Sequence, residues 1–583
     1  MKERLLALRE YMKKEGVGAC VIPTSDPHMS EYLCNHFKTR EFFCPFTGSA
    51  GTLAVTAEKS LLWTDGRYFI QAEKELSGSE TRLMRMGEKE TPTVEEFLCT
   101  ELKKGECAAL DGRLFSFNRL EKMRRKLCEN GIDLKYDFDP AVLWHGRPDM
   151  PREKAFLLDD GGAGTDVKDK LCAIAERIEE NGADYFLISS SDGVCWTLNI
   201  RCGDVYCTPV MLSFLLVSKD GALLFANGEK LLDTEKYLCK NNVTQKDYDS
   251  VYSVVSSLPE EARVICDFEK TNYMLVKSLG KRAVNHSDFA EEMKCVKSSA
   301  ELENIKRAYI LENTALIKTF YNIYESGKIK NETDVCREIE KNRAAAKEYM
   351  YPSFETIAAY GKNAAMMHYS PIEETAAKIQ KRGMLLIDTG GQYAIGTTDT
   401  TRTLILGDIT PQQAENYTLV LKGNINLART VFKEGCSGRD IDIAARRFLW
   451  EKGLDYRCGT GHGVGYVLCV HEGPQRISKG GDYVLKEGMT VTDEPGVYIE
   501  NEYGIRIETH LCIVKKCETE YGKFLEFQNL SYCPIGTKGI AAELLTPDEK
   551  EYLNRYNEKC RQMYKKYLTA EEYLWLENYT ARI

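Results

Sequence analysis

Apolar residues recur along this chain with two periods, and the period separates helix from strand. In residues 3–16, Leu5, Leu6, Leu8 and Met12 stand among charges and the run ends at Gly16, the pattern of an amphipathic helix with a glycine stop. Ala19–Ile22 then reads as a short strand leading into the turn Pro23–Pro27, and Ser60–Trp63 as another strand closed by the turn Thr64–Arg67. The opening recurs downstream. KDKLCAIAERIEENGADYFLISSSD repeats the helix, glycine, strand and Ser-Asp turn of RLLALREYMKKEGVGACVIPTSD, with the same spacing from Gly16 to Asp26 as from Gly182 to Asp192. Two tandem α/β domains are therefore predicted, over 1–158 and 159–290. The loop Asp159–Thr165 joins them, and Trp196–Ile200 and Met211–Ser218 are expected strands of the second.

A third domain is predicted over 291–583. At its start Ser298 caps a long helix, with Glu301 three residues on and Ile305, Ala308, Tyr309 and Leu316 among its apolar positions. Another helix starts at Ser437; Ile441, Ala444, Ala445, Phe448 and Leu449 form its stripe, and Gly453 ends it. A helical extension from about 540 to 583 has Thr546 as cap, Pro547 in its first turn and the stripe Leu553, Tyr556, Cys560, Met563 and Tyr567. That stripe packs on its own domain or meets a second subunit. Between these helices lies Met384–Leu406, two strand-like runs predicted to form a β-hairpin. Met384–Ile387 ends in Asp388, Thr397–Leu406 carries Asp399 inside it, and Gly390–Gly391 supply the break.

Composition narrows the class. The 583 residues carry a formal net charge of −10, with 43% hydrophobic and 28% charged residues, which fits a soluble chain of several domains and argues against a nucleic-acid partner. Charges interrupt every apolar run at the start, so no secretory signal is read there, and no apolar run approaches the ~18 residues of a membrane span. A cytoplasmic location is the resulting expectation. The 21 cysteines are scattered without a CxxC pair and are expected to be reduced.

An aspartate in each arm of a buried hairpin is costly unless something compensates it, and a divalent cation does so readily. Further donors stand in unusual surroundings. His462 lies in a loop with glycines at 459, 461, 463 and 465. Glu494 follows the apolar-leaning run 489–492, and Glu508 follows Ile505 and Ile507 at strand spacing. Arg506 shares a strand face with Glu508, so the two can pair, yet one arginine cannot balance Asp388, Asp399, Glu494 and Glu508 together. Four carboxylates and an imidazole suit two divalent ions with shared ligands, such as Mn²⁺, Co²⁺ or Zn²⁺, and the chemistry implied is hydrolysis.

In order, the contexts LLIDTG, TTDTTRT, GTGHGVG, TDEPG and GIRIE resemble the dinuclear pita-bread metallopeptidases, including the eleven-residue step from Asp388 to Asp399. SEYLCN and WTDGRYFIQA, ISSSDGVCWTLNIRCGD, FLEFQNLSYCPI and LLTPDEKEYLNRY extend the likeness along the chain to the long, three-domain Xaa-Pro aminopeptidases (aminopeptidase P). The resemblance implies two creatinase-like α/β domains followed by a pita-bread catalytic domain. It implies removal of the N-terminal residue from peptides with proline second. Asp388, Asp399, His462, Glu494 and Glu508 would hold two divalent ions, with Mn²⁺ the family expectation, and Asp399 and Glu508 would bridge them. Glu494 would also take the proton of the attacking water. His368 and His471 would bind and orient substrate and act in catalysis, and Arg506 would fix the carboxylates. A homodimer is also implied. Cys458 departs from the pattern, since many members have histidine there, and no catalytic role is carried onto it. Prolidase, which acts on Xaa-Pro dipeptides, and a non-catalytic peptide-binding pita-bread protein are the alternatives.

Overall fold

A computed structural model describes residues 1–158 and 163–583, so positions 159–162 of the expected linker lie outside the described residues. The chain forms two compact units, Met1–Leu158 with Thr165–Glu292 in one and Met293–Ile583 in the other.

The first unit holds two six-stranded sheets of the same topology. In one, the central strand Ala19–Pro23 runs antiparallel to Thr52–Thr56 on one side and parallel to Cys107–Ala109 on the other. In the second, Tyr185–Ile188 occupies the same place, antiparallel to Phe214–Ser218 and parallel to Val264–Cys266. All five residues of Ala19–Pro23 are buried, which is why this strand reads as a continuous apolar run rather than an alternation. The opening helix, Lys2–Lys14, buries Leu5, Leu8 and Met12 and leaves Leu6 exposed.

One expected strand is a helix. Trp196–Ile200 falls mostly within Ser191–Leu198, whose last carbonyls are met by the buried Lys170 ammonium at Trp196 O (2.9 Å) and by Asn199 in the left-handed region. Val194, Cys195, Trp196 and Leu198 are all buried, and a short apolar run buried all round carries no period to mark it as helix. Only Phe214–Ser218 of the stretch expected from Met211 is strand.

In the second unit, Ser298 Oγ accepts the Glu301 N–H (3.2 Å) and Glu301 Oε2 accepts the Ser298 N–H (2.8 Å), starting the helix Ser299–Glu325 as predicted. The hairpin forms: Met384–Thr389 pairs antiparallel with Thr400–Ile405, and Asp388 lies opposite Thr401. Its reversal differs from expectation. The chain turns between Gly391–Tyr393 and Gly396–Thr397, while Gly390 is where it passes Thr398; a Cβ there would sit 1.9 Å from the Thr398 carbonyl oxygen. Asp399 precedes its strand instead of lying within it. A second sheet pairs Thr490–Asp493 with Thr509–Thr519, Asp493 opposite Thr509, so Glu494 and Glu508 emerge side by side at its end. The helix expected from Ser437 is two, Gly438–Ile441 and Ile443–Trp450; Asp442 between them pairs with Arg446 and accepts from Thr460.

The C-terminal helix Pro547–Tyr564 packs on its own unit. Leu553, Tyr556, Cys560 and Tyr564 are buried in one cluster with Tyr417, Val420 and Ile535. Arg402 joins this region to the hairpin, donating to the carbonyls of Cys533 (2.6 Å), Pro534 (3.1 Å) and Thr401 (2.7 Å) and to the Tyr556 hydroxyl (3.0 Å). Leu553→Ala should cost about 2–5 kcal/mol and lower the thermal midpoint of the metal-free protein. An unchanged midpoint would contradict this packing.

Candidate active site

Five donor side chains converge at the ends of these strands. His462 sits in the short strand Gly461–Gly463, where a Cβ on Gly461 would lie 1.9 Å from the Thr492 carbonyl oxygen. This backbone contact brings the imidazole beside the strand that ends at Glu494. The His462 N–H donates to Thr492 Oγ1 (3.2 Å) and the Glu494 N–H to Thr460 O (2.7 Å).

His462 Nδ1 is 2.8 Å from Gly463 O. A carbonyl oxygen only accepts, so Nδ1 carries the proton and Nε2 of the neutral ring presents a lone pair. Nε2 faces Asp399 Oδ2 and Glu494 Oε1, each 3.5 Å away. Three acceptors turned toward one another require a cation or a proton between them. Asp399, His462 and Glu508 each offer a ligand atom within 4.8 Å of the others. Asp388 Oδ1 is buried with no hydrogen-bond partner. The donor set is hard and oxygen-rich, and it fits divalent cations.

The carboxylates feel one another strongly. Burial, then the neighbouring carboxylates Glu508 and Asp388, pushes Asp399 well above the usual range; burial, then Asp388 and Glu494, does the same to Glu508. Burial likewise pushes Glu494 up to about 7, with Asp388 adding to the rise and Arg506 and His471 opposing it.

Arg506 is the cation in their midst. It does not hydrogen-bond Glu508, as its strand position allowed. Its Nη2 donates to Asp388 Oδ2 (2.5 Å), Nη1 to the Tyr498 hydroxyl (2.5 Å) and Nε to Thr401 Oγ1 (3.1 Å), and Thr401 in turn donates to Glu508 Oε2 (2.9 Å). The strand Tyr503–Arg506 ends at the arginine, so Glu508 lies past the regular alternation that would have put the two on one face. His471 packs edge-on against His462, ring centroids 4.4 Å apart. His368 follows Met367, whose carbonyl oxygen lies 3.5 Å from Arg506 Nη2. Cys458 is half-buried, and its carbonyl accepts from Arg446 (2.8 Å).

Sequence reasoning missed Thr401, Tyr498 and Tyr309. Tyr309, on the long helix, accepts the Asp399 N–H at 3.1 Å and lies 2.9 Å from His510 Nδ1. Thr401 sits inside the quoted TTDTTRT stretch and could have been found there; Tyr498 and Tyr309 carry no local signature.

The comparisons with known proteins define the class. The model of metallopeptidase family M24 matches residues 303–515, and that of the C-terminal region of peptidase M24 matches 523–583. Two creatinase/prolidase N-terminal domain models match 4–140 and 146–301. The second unit is thus an M24 metallopeptidase domain preceded by creatinase-type domains. Within that class, the chain belongs to the Xaa-Pro aminopeptidase (aminopeptidase P) family. It is 35% identical to Xaa-Pro aminopeptidase 1 of Dictyostelium discoideum over 99% of this chain and 96% of that one. It is 36% identical to a probable Xaa-Pro aminopeptidase P of Sordaria macrospora, covering 98% and 97%. Its structure matches the X-prolyl aminopeptidase of Caenorhabditis elegans, described as a cytosolic enzyme with a di-nuclear active site, with TM-score 0.95 and 31% identity over 100% and 99% of the chains.

The raised carboxyls give a prediction. Between pH 4.5 and about 7 the folded metal-free chain holds a proton at Glu494 that the unfolded chain has released. This group's contribution to stability is therefore full below pH 4.5 and lost as the pH rises through about 7. Metal ligation needs the ionised carboxylate, so uptake at pH 7 should expel protons and affinity should fall with falling pH. Calorimetric titration with Mn²⁺ in two buffers of different ionisation enthalpy should give different heats. Equal heats would contradict the protonation proposed for this cluster.

Proposed function

We propose that this protein is a metal-dependent aminopeptidase that releases the N-terminal residue from peptides with proline in the second position. The observation that carries the reading is the cluster of Asp388, Asp399, Glu494 and Glu508 with Arg506 as its cation, in which His462 Nε2 faces Asp399 and Glu494. Asp388, Asp399, His462, Glu494 and Glu508 would hold two divalent ions, Asp399 and Glu508 shared between them. When bound, such ions supply an activated water and polarise the scissile carbonyl. Mn²⁺ is the expected metal, and Zn²⁺ or Co²⁺ also suits the donors.

The chain's own groups do the remainder. Glu494 takes the proton of the attacking water. His368 and His471 orient the peptide, donate to the carbonyl oxygen as charge develops on it, and pass a proton to the departing proline nitrogen, which has none of its own. Arg506 holds Asp388 in place. The domain limits that go with this reading are 1–158, 159–290 and 291–583, with a helical extension from about 540. No helix among the described residues is long and apolar enough to cross a membrane. A cytoplasmic homodimer acting on proline-containing peptides completes the proposal.

Metal-stripped protein should release arginine from Arg-Pro-Pro only after Mn²⁺ is added. Cleavage confined to Xaa-Pro dipeptides would instead make it a dipeptidase, and metal uptake without any cleavage would leave a peptide-binding role. Glu508→Ala should lose both metal and turnover. His471→Ala should keep its metal while kcat falls roughly 10²- to 10⁴-fold; loss of metal in that variant would show a misplaced ligand.

A further inference from the structure

Glu332 opens the helix Glu332–Arg343 and its side chain is fully buried, yet among the described residues no cation pairs with it. Neutral donors fill its two oxygens instead. Oε1 accepts the Tyr360 N–H (2.7 Å) and Asn363 Nδ2 (3.0 Å); Oε2 accepts the Tyr369 hydroxyl (2.8 Å), the Ala377 N–H (2.7 Å) and Asn363 Nδ2 (3.2 Å). Asn363 Nδ2 also donates to the Tyr369 hydroxyl (3.1 Å), closing a ring of hydrogen bonds. Ala377 O accepts from the Glu332 N–H (3.3 Å).

All these donors belong to one stretch, 360–377, and His368 lies within it. Tyr369 is its next residue. Met367, the residue before, has its carbonyl oxygen 3.5 Å from Arg506 Nη2, which also holds Asp388. The imidazole backbone is thus fastened from both sides, through Met367 to the carboxylate cluster and through Tyr369 to Glu332. The site needs an acceptor-only group, because four donor groups meet there; the amide of a glutamine would turn its own N–H against them. An unpaired buried carboxylate is expensive unless such bonds hold it. Of the bonds to Glu332, the one from the Tyr369 hydroxyl lies next to His368, and the Arg506 bond to Met367 O lies on its other side.

We propose that Glu332 and Tyr369 are positioning residues for His368: they set where its imidazole meets the peptide without touching substrate or metal themselves. This rests on the role given above to His368. The test is kcat, KM and metal content with Arg-Pro-Pro for the full-length, Mn²⁺-loaded protein and its Tyr369→Phe variant, each with His368 intact and as His368→Ala. Tyr369→Phe removes one hydroxyl and keeps the ring. It should lower kcat roughly 10- to 100-fold, the scale of a misplaced catalytic group, with metal content unchanged. In the His368→Ala background the same change should cost less than about twofold, because residues acting through one another are not additive.

Ser370→Ala, which loses a bond to the exposed side of the loop at Glu355 (3.0 Å), should leave kcat near the native value. Glu332→Gln should repeat the Tyr369→Phe loss more strongly, with a lower thermal midpoint. An unchanged kcat in Tyr369→Phe, or an equal loss with and without His368, would overturn the proposal. If His368→Ala by itself left kcat intact, the role of His368 would fall and take this inference with it. That result is distinct from a silent Tyr369→Phe beside a crippled His368→Ala.

Discussion

Repulsion among four clustered carboxylates, Asp399 and Glu508 fully buried and Asp388 and Glu494 half-buried, is the constraint on which the second unit is built. Burial and the neighbouring carboxylates, Asp388 among them, raise Asp399, Glu494 and Glu508, and Arg506 supplies one positive charge against the cluster. Left ionised and alone, such a cluster would cost far more than a domain's margin of stability. Protons relieve it in the metal-free chain, and on the function proposed above divalent cations would relieve it when bound. The lone pair of His462 Nε2, aimed at two carboxylate oxygens, is the clearest geometric mark of a place where a cation belongs.

The scaffold earns this geometry by strand register. Pairing of Met384–Thr389 with Thr400–Ile405 sets Asp388 opposite Thr401, and Thr401 then reaches Glu508. Pairing of Asp493 with Thr509 sets Glu494 and Glu508 side by side. Side chains that support the carboxylates come from farther away: Arg402 ties the hairpin to the C-terminal segment, and Tyr309 reaches the Asp399 backbone from the long helix. The helical extension is therefore part of the support for the site as well as its own packing layer.

Much of this was legible in the sequence where the cause is local. The Ser298 cap, the duplicated helix-glycine-strand opening and the apolar stripe from Leu553 to Cys560 depend on neighbours in the chain. The five proposed donors each stand beside glycine, proline or a strand-like run, and the fold brings Asp399, His462 and Glu508 together. What escaped depends on partners distant in sequence. Arg506 bonds Asp388, 118 residues away, instead of the nearer Glu508. Tyr498 and Glu332 show their roles only once folded. The helix Ser191–Leu198 was misread because a fully buried segment shows no polar face from which to take a period.

The most direct test of charge compensation by shared cations is an anomalous-difference map from crystals of the full-length protein grown with Mn²⁺. The account predicts two peaks ~3.5 Å apart, both ligated by Asp399 and Glu508, with Asp388 on one and His462 and Glu494 on the other. A single peak, or two peaks whose ligands leave out Glu508, would contradict it.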